Sequence, residues 1–244
     1  MRYLSGKEAY DLDQQLFSTF QYSVVQLVEL AGLSVALCIN DVLARIGGDK
    51  TALVLCGPGN NGADGIVAAR HLALHGWEVD LCITKKSSKS DIADSLIAQA
   101  VSCGAHLVDL DSLVFGDSIS KEGSSLSYNI IVDSIFGFSF DSSRPLRAPF
   151  DLCLPGLAKA SKSSHVVCVD IPSGWNVSSE KQDPDKELIV PSTLISLTTP
   201  KTCALGLPKS TFHYVSGRFI PIELIKRLEI DIPYEGADLF VKIQ

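Results

Sequence analysis

The sequence predicts an α/β fold, a Rossmann-like three-layer αβα sandwich with a mostly parallel central sheet. Short apolar runs that contain β-branched residues alternate along the chain with longer segments of helical periodicity. Such alternation requires crossover connections, which are right-handed and cover both faces of a parallel sheet with helices. A glycine-rich segment, 57–65, follows one apolar run, and Asp133 and Asp170 each follow another. The length of 244 residues and the hydrophobic content of 46% suit a single domain that spans 1–244.

The predicted elements follow one another with short connections. Apolar residues at helical spacing predict the helices, and Gly47 and Gly76 mark the ends of the second and third. Residues 111–127 are rich in Ser, Gly and Asp and are expected to form a surface loop, whereas the tail after Ile222 has no clear pattern. The predicted helices are 5–17, 22–46, 63–75, 92–103 and 149–162. The predicted strands are 52–56, 78–84, 106–110, 128–132, 165–169, 192–197 and 213–221, the last near the sheet edge.

Charge and composition argue against several classes of protein. A formal net charge of -7 disfavours a nucleic-acid partner, which needs a basic surface to neutralise phosphates. The seven cysteines include no CxxC pair, so neither a zinc site nor a redox motif is expected. Residues 1–13 lack the apolar core of a secretory signal, which predicts a cytoplasmic location, with a mitochondrial pool as the alternative. No uninterrupted apolar run approaches the roughly 18 residues of a membrane span, so no membrane partner is expected.

The glycine-rich segment reads GPGNNGADG and predicts a nucleotide-binding loop. Gly57, Gly59 and Gly62 satisfy the G-x-G-x-x-G pattern after a predicted strand and before a predicted helix, which is the context that gives the motif meaning. Glycines let the backbone turn and approach a phosphate, and the start of the helix offers free N–H groups and positive potential. The alternative is an ordinary strand-to-helix turn that merely needs glycine.

Polar residues distinguish this loop from a plain dinucleotide cradle. Asn60 and Asn61 stand between the glycines, and Asp64 is expected in the first helical turn. There the carboxylate would complement the helix dipole, bond ribose hydroxyls or orient the loop. The acid that dehydrogenases place after the second strand to bind ribose is missing, since that strand ends in Lys85 and Lys86.

Two predicted strand ends carry carboxylates. Asp133 and Asp170 follow apolar strands, and Ser173 stands three residues after Asp170. One such aspartate can simply cap a turn, but parallel strands end at one edge, so these groups and Asn61 are expected to face one crevice. Their oxygens suit potassium or magnesium, and the small number of carboxylates favours the monovalent ion. Asp170 is the better candidate for proton transfer, and the absence of a G-x-S-x-G elbow disfavours hydrolase chemistry.

With these motifs the chain resembles the NAD(P)H-hydrate epimerases, the family built on the YjeF N-terminal domain. The resemblance implies a single domain of that type and an isomerase that interconverts the R and S epimers of hydrated NADH and NADPH (NADHX and NADPHX) for nicotinamide nucleotide repair. It further implies a homodimer and a functional partner, NAD(P)H-hydrate dehydratase, as a separate chain. The motifs that carry it are LVELAG (27–32), GPGNNGADG (57–65), VDSIFGFSF (132–140), VDIPSGWNV (169–177), LTTPK (197–201) and VSGRFIP (215–221).

The resemblance also implies roles for individual residues. Asp170 would be catalytic, and one potassium ion per subunit would be held by Asn61, Asp133 and Ser173. The family pattern has Gly-Gly before the aspartate of the glycine-rich loop, whereas this chain has Gly62-Ala63. The substrate would be bound by Asn60, Asn61, Gly62, Ala63, Asp64, Gly137, Phe138, Ser139, Phe140, Asp141, Ser142, Ser143 and Asp170.

The mechanism expected from these residues uses one acid. Asp170 would donate a proton to the ring C6 hydroxyl, water would leave, and Asp170 would act as base when water adds to either face. Two other functions stay open at this point: a non-catalytic nucleotide- or protein-binding module on the same scaffold, and an NAD-dependent dehydrogenase. The missing ribose-binding acid weakens the dehydrogenase interpretation.

Overall fold

In a computed structural model, which describes residues 1–86, 91–123 and 128–244, an eight-stranded sheet lies between layers of helices. Its strand order is β10-β9-β8-β7-β6-β1-β2-β3, and the neighbouring strands are parallel except β9 and β10. The predicted fold class is therefore confirmed. The helices are α1 (Gly6–Ser18), α2 (Val24–Ile46), α3 (Asn60–Leu74), α4 (Asp91–Ser102), α5 (Phe150–Ala160) and α6 (Ile222–Arg227). The strands are β1 (Thr51–Cys56), β2 (Glu78–Ile83), β3 (His106–Val108), β4 (Leu113–Phe115), β5 (Ile119–Lys121), β6 (Ile130–Ser134), β7 (Val166–Val169), β8 (Thr193–Leu197), β9 (Phe212–Ser216) and β10 (Phe240–Lys242).

The order in which strands are added to the sheet reverses at β1: β2 and β3 lie on one side of it, and β6 to β10 lie on the other. This strand pairs with β2 on one side and with β6 on the other, and Leu55 lies opposite Asp133 in the β1–β6 register. The connections that leave β1 and β6 separate at their carboxyl ends and open a crevice there. That crevice is where an open α/β sheet binds its ligands, so the topology itself locates the functional site.

Two apolar clusters cover the two faces of the sheet. On one face α2, α3 and α4 pack against the sheet, with Val35, Ile39 and Leu72 in the cluster. On the other face α5 and the β4–β5 hairpin pack through Leu157 and Ile119. Alternate strand residues point to opposite faces, and both faces of β1 are buried, which is why this strand is apolar from Ala52 to Cys56.

A third cluster brings the N-terminal helix to the carboxyl edge of the sheet. Leu12 and Leu16 of α1 pack with Leu224 of α6. The segment before α1 is hydrogen-bonded to the segment after β8, because the Leu4 N–H donates to the Pro200 carbonyl at 2.9 Å and the Leu4 carbonyl accepts from Thr202 N–H at 2.9 Å. These contacts fix α1 beside the ends of β7 and β8, where it can take part in a site at that edge.

Helix α2 is long and apolar enough to cross a membrane by length and composition, with a mean hydropathy of 1.8 over its most apolar window. Of that window 56% is buried inside the protein. Its buried residues include Val28, Val35 and Ile39, which belong to the main apolar cluster. A helix that covers a sheet in the core is buried in this way, and such core helices also meet the length and composition criteria for a membrane span.

Several predicted boundaries were wrong. Helix α3 begins at Asn60 rather than at residue 63, and β6 runs to Ser134, so Asp133 lies within the strand. The loop predicted at 111–127 holds the β4–β5 hairpin instead, while 124–127 lie outside the described residues. The patternless tail contains α6 and β10, and β10 pairs antiparallel with β9 to form the edge of the sheet.

Two glycines of the 57–65 loop allow backbone segments to pack in direct contact. A β-carbon at Gly57 would lie 1.9 Å from the Ile135 carbonyl oxygen, and one at Gly62 would lie 1.9 Å from the Gly57 carbonyl oxygen. A β-carbon at Gly59 would meet nothing within 4 Å. Gly57 and Gly62 are therefore required because three backbone segments touch, and Gly59 is the glycine with space beside it.

We expect Gly62→Ser to lower the free energy of unfolding by about 1–3 kcal/mol, because the new β-carbon displaces the Gly57 backbone. The matched change Gly59→Ser should leave the free energy of unfolding unchanged or raise it, since Gly59 is the N-cap of α3 and serine is a preferred N-cap residue. Urea denaturation of both variants measures the difference. Equal stability of the two variants would show that Gly62 is not a packing glycine.

Candidate functional site

A cavity of about 620 Å³ opens at the carboxyl edge of the sheet. Its walls come from α1, from the loop that joins β1 to α3, from the segment after β6 and from the ends of β7 and β8. The predicted site residues that line it are Asn60, Asn61, Asp64, Gly137, Phe138, Ser139, Phe140, Asp141 and Asp170. Four predicted contact residues, Gly62, Ala63, Ser142 and Ser143, do not line it.

Asp170 and Lys201 form a buried ion pair at this cavity. The Lys201 Nζ lies 2.5 Å from Asp170 Oδ1 and donates a second hydrogen bond of 2.7 Å to the Leu197 carbonyl. The other carboxylate oxygen, Oδ2, accepts from the Phe138 N–H at 3.2 Å. Asp170 and Lys201 are each only 3% exposed. Two charges taken out of water are tolerated when further hydrogen bonds accompany their contact, and here each charge has one such bond besides the ion pair.

The backbone beside this pair is strained on the cavity side. Asp170 has φ 68° and Thr198 has φ 63°, and both residues line the cavity. Non-glycine residues with left-handed backbone conformation cost about 1–3 kcal/mol and concentrate at functional sites. The strain at the ends of β7 and β8 turns the Asp170 carboxylate into the cavity, towards Lys201.

Lys201 is a site residue to which the sequence analysis assigned no role. It belongs to the LTTPK motif, but its partner Asp170 lies 31 positions away, and no spacing rule links the two. One signal could have identified it: Lys201 follows a predicted apolar strand, as Asp133 and Asp170 do, and the predicted site otherwise contained acids without a cationic partner. Its ammonium also lies 5.8 Å from the centre of the Phe138 ring, which forms part of the cavity wall.

Asp64 lies in the second turn of α3 rather than in the first, because the helix begins at Asn60. The predicted place in the first turn is therefore wrong, and with it the alternative that Asp64 complements the helix dipole. The side chain lines the cavity, and within the described part of the chain it makes no hydrogen bond or ion pair. Burial raises the pKa of Asp64 well above its ordinary value of 3.8, and the carboxylates of Asp170 and Asp13 raise it further.

Asp13 is a second residue that the sequence analysis missed. It lies on α1, lines the cavity, and is half-buried. Burial raises the pKa of Asp13 from 3.8 to about 6, with Lys201 lowering it and Asp170 raising it. No motif pointed to this residue, because α1 reaches the cavity only through its packing against α6 and the segment after β8.

Asp133 and Ser173, two of the three predicted ion ligands, are in contact at the carboxyl edge of the sheet, and the third, Asn61, lines the cavity. The Ser173 hydroxyl donates to Asp133 Oδ1 at 2.6 Å, and its N–H donates to Oδ2 at 2.8 Å. A β-carbon at Gly137 would lie 3.2 Å from the Asn61 β-carbon and 3.5 Å from Asp170 Oδ2, so this glycine fits between the two side chains.

The donor set fits a cation. Asn61 is buried, and neither its Oδ1 nor its Nδ2 has a hydrogen-bond partner in the described residues. Burial raises the pKa of Asp133, although hydrogen bonds from Ser173 and Ile135 lower it. A positive ion beside the Asn61 amide oxygen and the Asp133 carboxylate would satisfy the first and stabilise the charge of the second. The described residues contain no group of three or more His, Cys, Asp or Glu side chains that could hold a metal.

The start of α3 is available to an anion. Gly59 is its N-cap, and no side chain caps the helix, so its first N–H groups keep their donor capacity. Lys85 lies at the rim of the same cavity. Asp80 lies within β2, as predicted, where it accepts a hydrogen bond of 2.7 Å from the Tyr128 hydroxyl and pairs with Lys121 at 3.2 Å.

The loop after β6 folds over the cavity. The rings of Phe136 and Phe140 stack with centroids 4.2 Å apart, and the Phe140 N–H donates to the Gly137 carbonyl at 3.0 Å. Further along, Asp141 accepts hydrogen bonds from Ser143, while the Ser142 carbonyl accepts from Lys186. Those two serines therefore hold the loop in shape rather than face the cavity.

A family model, curated proteins and a solved structure all match this chain over most or all of its length. The family described as YjeF-related protein N-terminus matches residues 24–203. The chain is 41% identical over 245 residues to an NAD(P)H-hydrate epimerase of Anopheles darlingi and 41% identical over 246 residues to one of Aedes aegypti, in both cases covering 100% of each chain. It is 37% identical to a chloroplastic pyridoxine/pyridoxamine 5'-phosphate oxidase of Arabidopsis thaliana, of which it spans 45%. The crystal structure of yeast ynu0 superposes with a TM-score of 0.87 at 32% identity, covering 100% of each chain.

We expect Asp64→Asn to stabilise the protein at pH 7. The pKa of Asp64 is raised in the folded state, so the folded protein binds a proton that the unfolded chain releases above about pH 4. The wild type therefore loses stability as the pH rises from about 4 towards the folded pKa, and the variant does not. The variant should therefore exceed the wild type in free energy of unfolding by more at pH 7 than at pH 4. Urea denaturation at pH 4 and pH 7 measures it, and an equal difference at both pH values would contradict it.

Proposed function

The chain belongs to the YjeF-related protein N-terminus family, and from this premise we infer that it is an NAD(P)H-hydrate epimerase. This enzyme is an isomerase that interconverts the R and S epimers of NADHX and NADPHX, the hydrated forms of NADH and NADPH. The observation that carries the inference is the buried Asp170–Lys201 pair, which faces a cavity beside the glycine-rich loop. A binding module on the same scaffold would not require a desolvated carboxylate held in one orientation.

The chemistry requires a proton donor, a proton acceptor and stabilisation of positive charge. The hydroxyl on ring C6 of the substrate is adjacent to the ring nitrogen, whose lone pair stabilises the cation formed when water leaves. Water then adds to either face of C6, and a base accepts its proton. We assign the acceptor role to Asp170, because its carboxylate is held by the Lys201 ammonium and the Phe138 N–H. The same negative charge stabilises the cationic ring as it forms.

Binding of the nucleotide is assigned to the two loops that frame the cavity. The N–H groups at the start of α3 and the Lys85 ammonium suit the phosphates. Asn60, Asn61 and the Gly137–Asp141 stretch lie along the same cavity and suit the ring and its amide. The contacts predicted for Gly62, Ala63, Ser142 and Ser143 stay predictions, since these residues do not line the cavity.

We further propose one potassium ion per subunit, held by Asn61, Asp133 and Ser173. The support is the Asn61 amide, which has no hydrogen-bond partner among the described residues, and the fully buried Asp133 carboxylate, which Ser173 contacts. When bound, the ion supplies positive charge that orders these oxygens and attracts the negative end of a polar substrate group. Asn61 lies in the glycine-rich segment, and Asp133 lies just before the loop after β6. An ion that holds these two side chains would therefore hold both loops of the cavity wall in place.

Assembly and partners are proposed from the family resemblance. A homodimer and a separate NAD(P)H-hydrate dehydratase chain both belong to this proposal. An epimerase alone only mixes the two epimers, so an enzyme that removes the hydration must consume one of them. A cytoplasmic location, with a mitochondrial pool as the alternative, stays a prediction.

We expect Asp170→Asn to lower the rate of epimerisation at least about 100-fold, because amide oxygen is a poor proton acceptor. The purified chain is incubated with R-NADHX, and chromatography measures the S-NADHX formed above the rate without protein. Asp49→Asn, an exposed change beyond the amino end of β1, is the control and should keep the wild-type rate. Wild-type epimerisation by a folded Asp170→Asn variant would exclude the assigned role, and nucleotide binding by an inactive wild type would favour the binding module.

We expect a thallium ion, which substitutes for potassium, to bind between Asn61, Asp133 and Ser173. Crystals soaked in thallium should show an anomalous peak there, and Asn61→Ala should abolish the peak by removing one ligand. Potassium should also raise the midpoint of thermal unfolding more than sodium does in the wild type, but not in Asn61→Ala. A wild-type crystal without that peak would contradict the ion assignment.

A further inference from the structure

The geometry points to Asp13 as a second proton-transfer residue, which serves one face of the substrate ring while Asp170 serves the other. The inference rests on the proposed epimerase function and deepens it. Helix α1, which carries Asp13, lies outside the residues matched by the family, 24–203. The assignment therefore depends on where the fold places this helix.

Helix α1 presents one face to the cavity and another to the core. Asp13 and Phe17 are four residues apart, hence on one side of the helix, and both line the cavity. Leu12 and Leu16 lie on the core side and are at most 1% exposed. Because α1 is tied through Leu4 to the segment after β8, its cavity face cannot turn away without breaking core packing.

The Asp170 carboxylate reaches the cavity from a different element and is held in place. Lys201 binds one of its oxygens at 2.5 Å, and the Phe138 N–H donates to the other at 3.2 Å. A carboxylate fixed in this way can transfer protons on only one face of a flat ring. Epimerisation requires proton transfer on both faces, because the hydroxyl that leaves and the water that adds lie on opposite sides. A second group on a different element is therefore needed, and Asp13, on α1, lines the same cavity.

The charges around Asp13 favour a protonated carboxyl in the cavity. Those closest to it are Asp64 on α3, Asp170 after β7 and Lys201 after β8. Three carboxyl groups share one ammonium, and that ammonium is already paired with Asp170. Like charges raise one another's pKa, which favours the protonated form of the carboxyls that have no cation of their own. The remaining charged side chains on the cavity walls are Lys85, Asp141, Arg144 and Arg147.

Asp13 is better placed than Asp64 to hold and replace this proton. Asp64 is only 7% exposed, whereas Asp13 is half-buried and can exchange its proton with solvent. Burial raises the pKa of Asp13 to about 6, near the pH at which an acid donates efficiently in a neutral medium. Within the described residues Asp13 makes no hydrogen bond or ion pair that would compete with a substrate hydroxyl.

A second observation shows that this group of acids faces a ligand site. Asn61 is 8% exposed, lines the same cavity and leaves both side-chain polar atoms without partners among the described residues. A buried amide with no partner is costly unless a ligand completes it. The carboxyls of Asp13 and Asp170 therefore surround a volume built for a polar molecule.

One turnover transfers a proton from Asp13 to the leaving hydroxyl and another from the incoming water to Asp170. The Asp13 carboxyl transfers its proton to the C6 hydroxyl, the C–O bond breaks with its electron pair, and water leaves. The lone pair of the ring nitrogen forms the N=C6 bond of the cation. Water then adds to the other face, the N=C6 electron pair returns to nitrogen, and the Asp170 carboxylate accepts the proton released. The proton on Asp170 returns to Asp13 through solvent, and the reverse reaction uses the two groups in the opposite order.

The test separates conversion of the epimers from exchange of their hydroxyl. R-NADHX and S-NADHX are incubated separately in ¹⁸O-labelled water with the full-length chain. Conversion is measured by chromatography and label in the C6 hydroxyl by mass spectrometry. Asp13→Asn should lower conversion at least about 100-fold in both directions. It should keep the wild-type exchange rate for the epimer whose hydroxyl faces Asp170 and lose exchange for the other epimer.

Controls separate this inference from its premise. Asp11→Asn, an exposed change on the same helix, should keep conversion and both exchange rates. Asp13→Ser should repeat the one-sided exchange, which guards against a folding defect particular to one variant. Unchanged conversion in Asp13→Asn, or an equal loss of exchange for both epimers, would overturn the role of Asp13. A wild type that does not accelerate conversion would instead remove the epimerase function on which it rests.

Discussion

The arrangement of this site depends on the buried ion pair between Asp170 and Lys201. Removing two charges from water is expensive, and the cost is offset by their contact at 2.5 Å and by the Leu197 carbonyl and the Phe138 N–H. These partners belong to the ends of β7 and β8 and to the loop after β6. The pair therefore joins the three segments that form the floor and one wall of the cavity.

The pair also determines the state of the other acids. Lys201 is committed to Asp170, so neither Asp64 nor Asp13 has a cation of its own among the described residues. Burial and like charge raise the pKa of both, to about 6 for Asp13. One cavity thus holds a carboxylate fixed by an ion pair together with carboxyls whose pKa is raised. Such a division of roles between similar side chains is how one site performs acid and base chemistry at one pH.

Sequence analysis located the carboxyl edge of the sheet but not all of the site. Asn61, Asp133 and Asp170 were predictable, because apolar strand patterns end beside them and parallel strands end at one edge. Lys201 and Asp13 were not, since each joins the site through packing between segments distant in sequence. The β4–β5 hairpin was mistaken for a loop because its strands have three residues each, too short to show alternation. The glycine-rich loop was found correctly, but two of its glycines serve backbone packing rather than approach to a phosphate.

The most direct test of this account is the epimerisation rate of a Lys201→Met variant, measured with R-NADHX at a temperature where circular dichroism shows it folded. Methionine keeps much of the length of the side chain and removes its charge, so Asp170 loses the ion-pair partner that holds its side chain in place. The account predicts a loss of at least about 100-fold in the rate while the nucleotide still binds. A folded Lys201→Met variant that converts the epimers at the wild-type rate would contradict it.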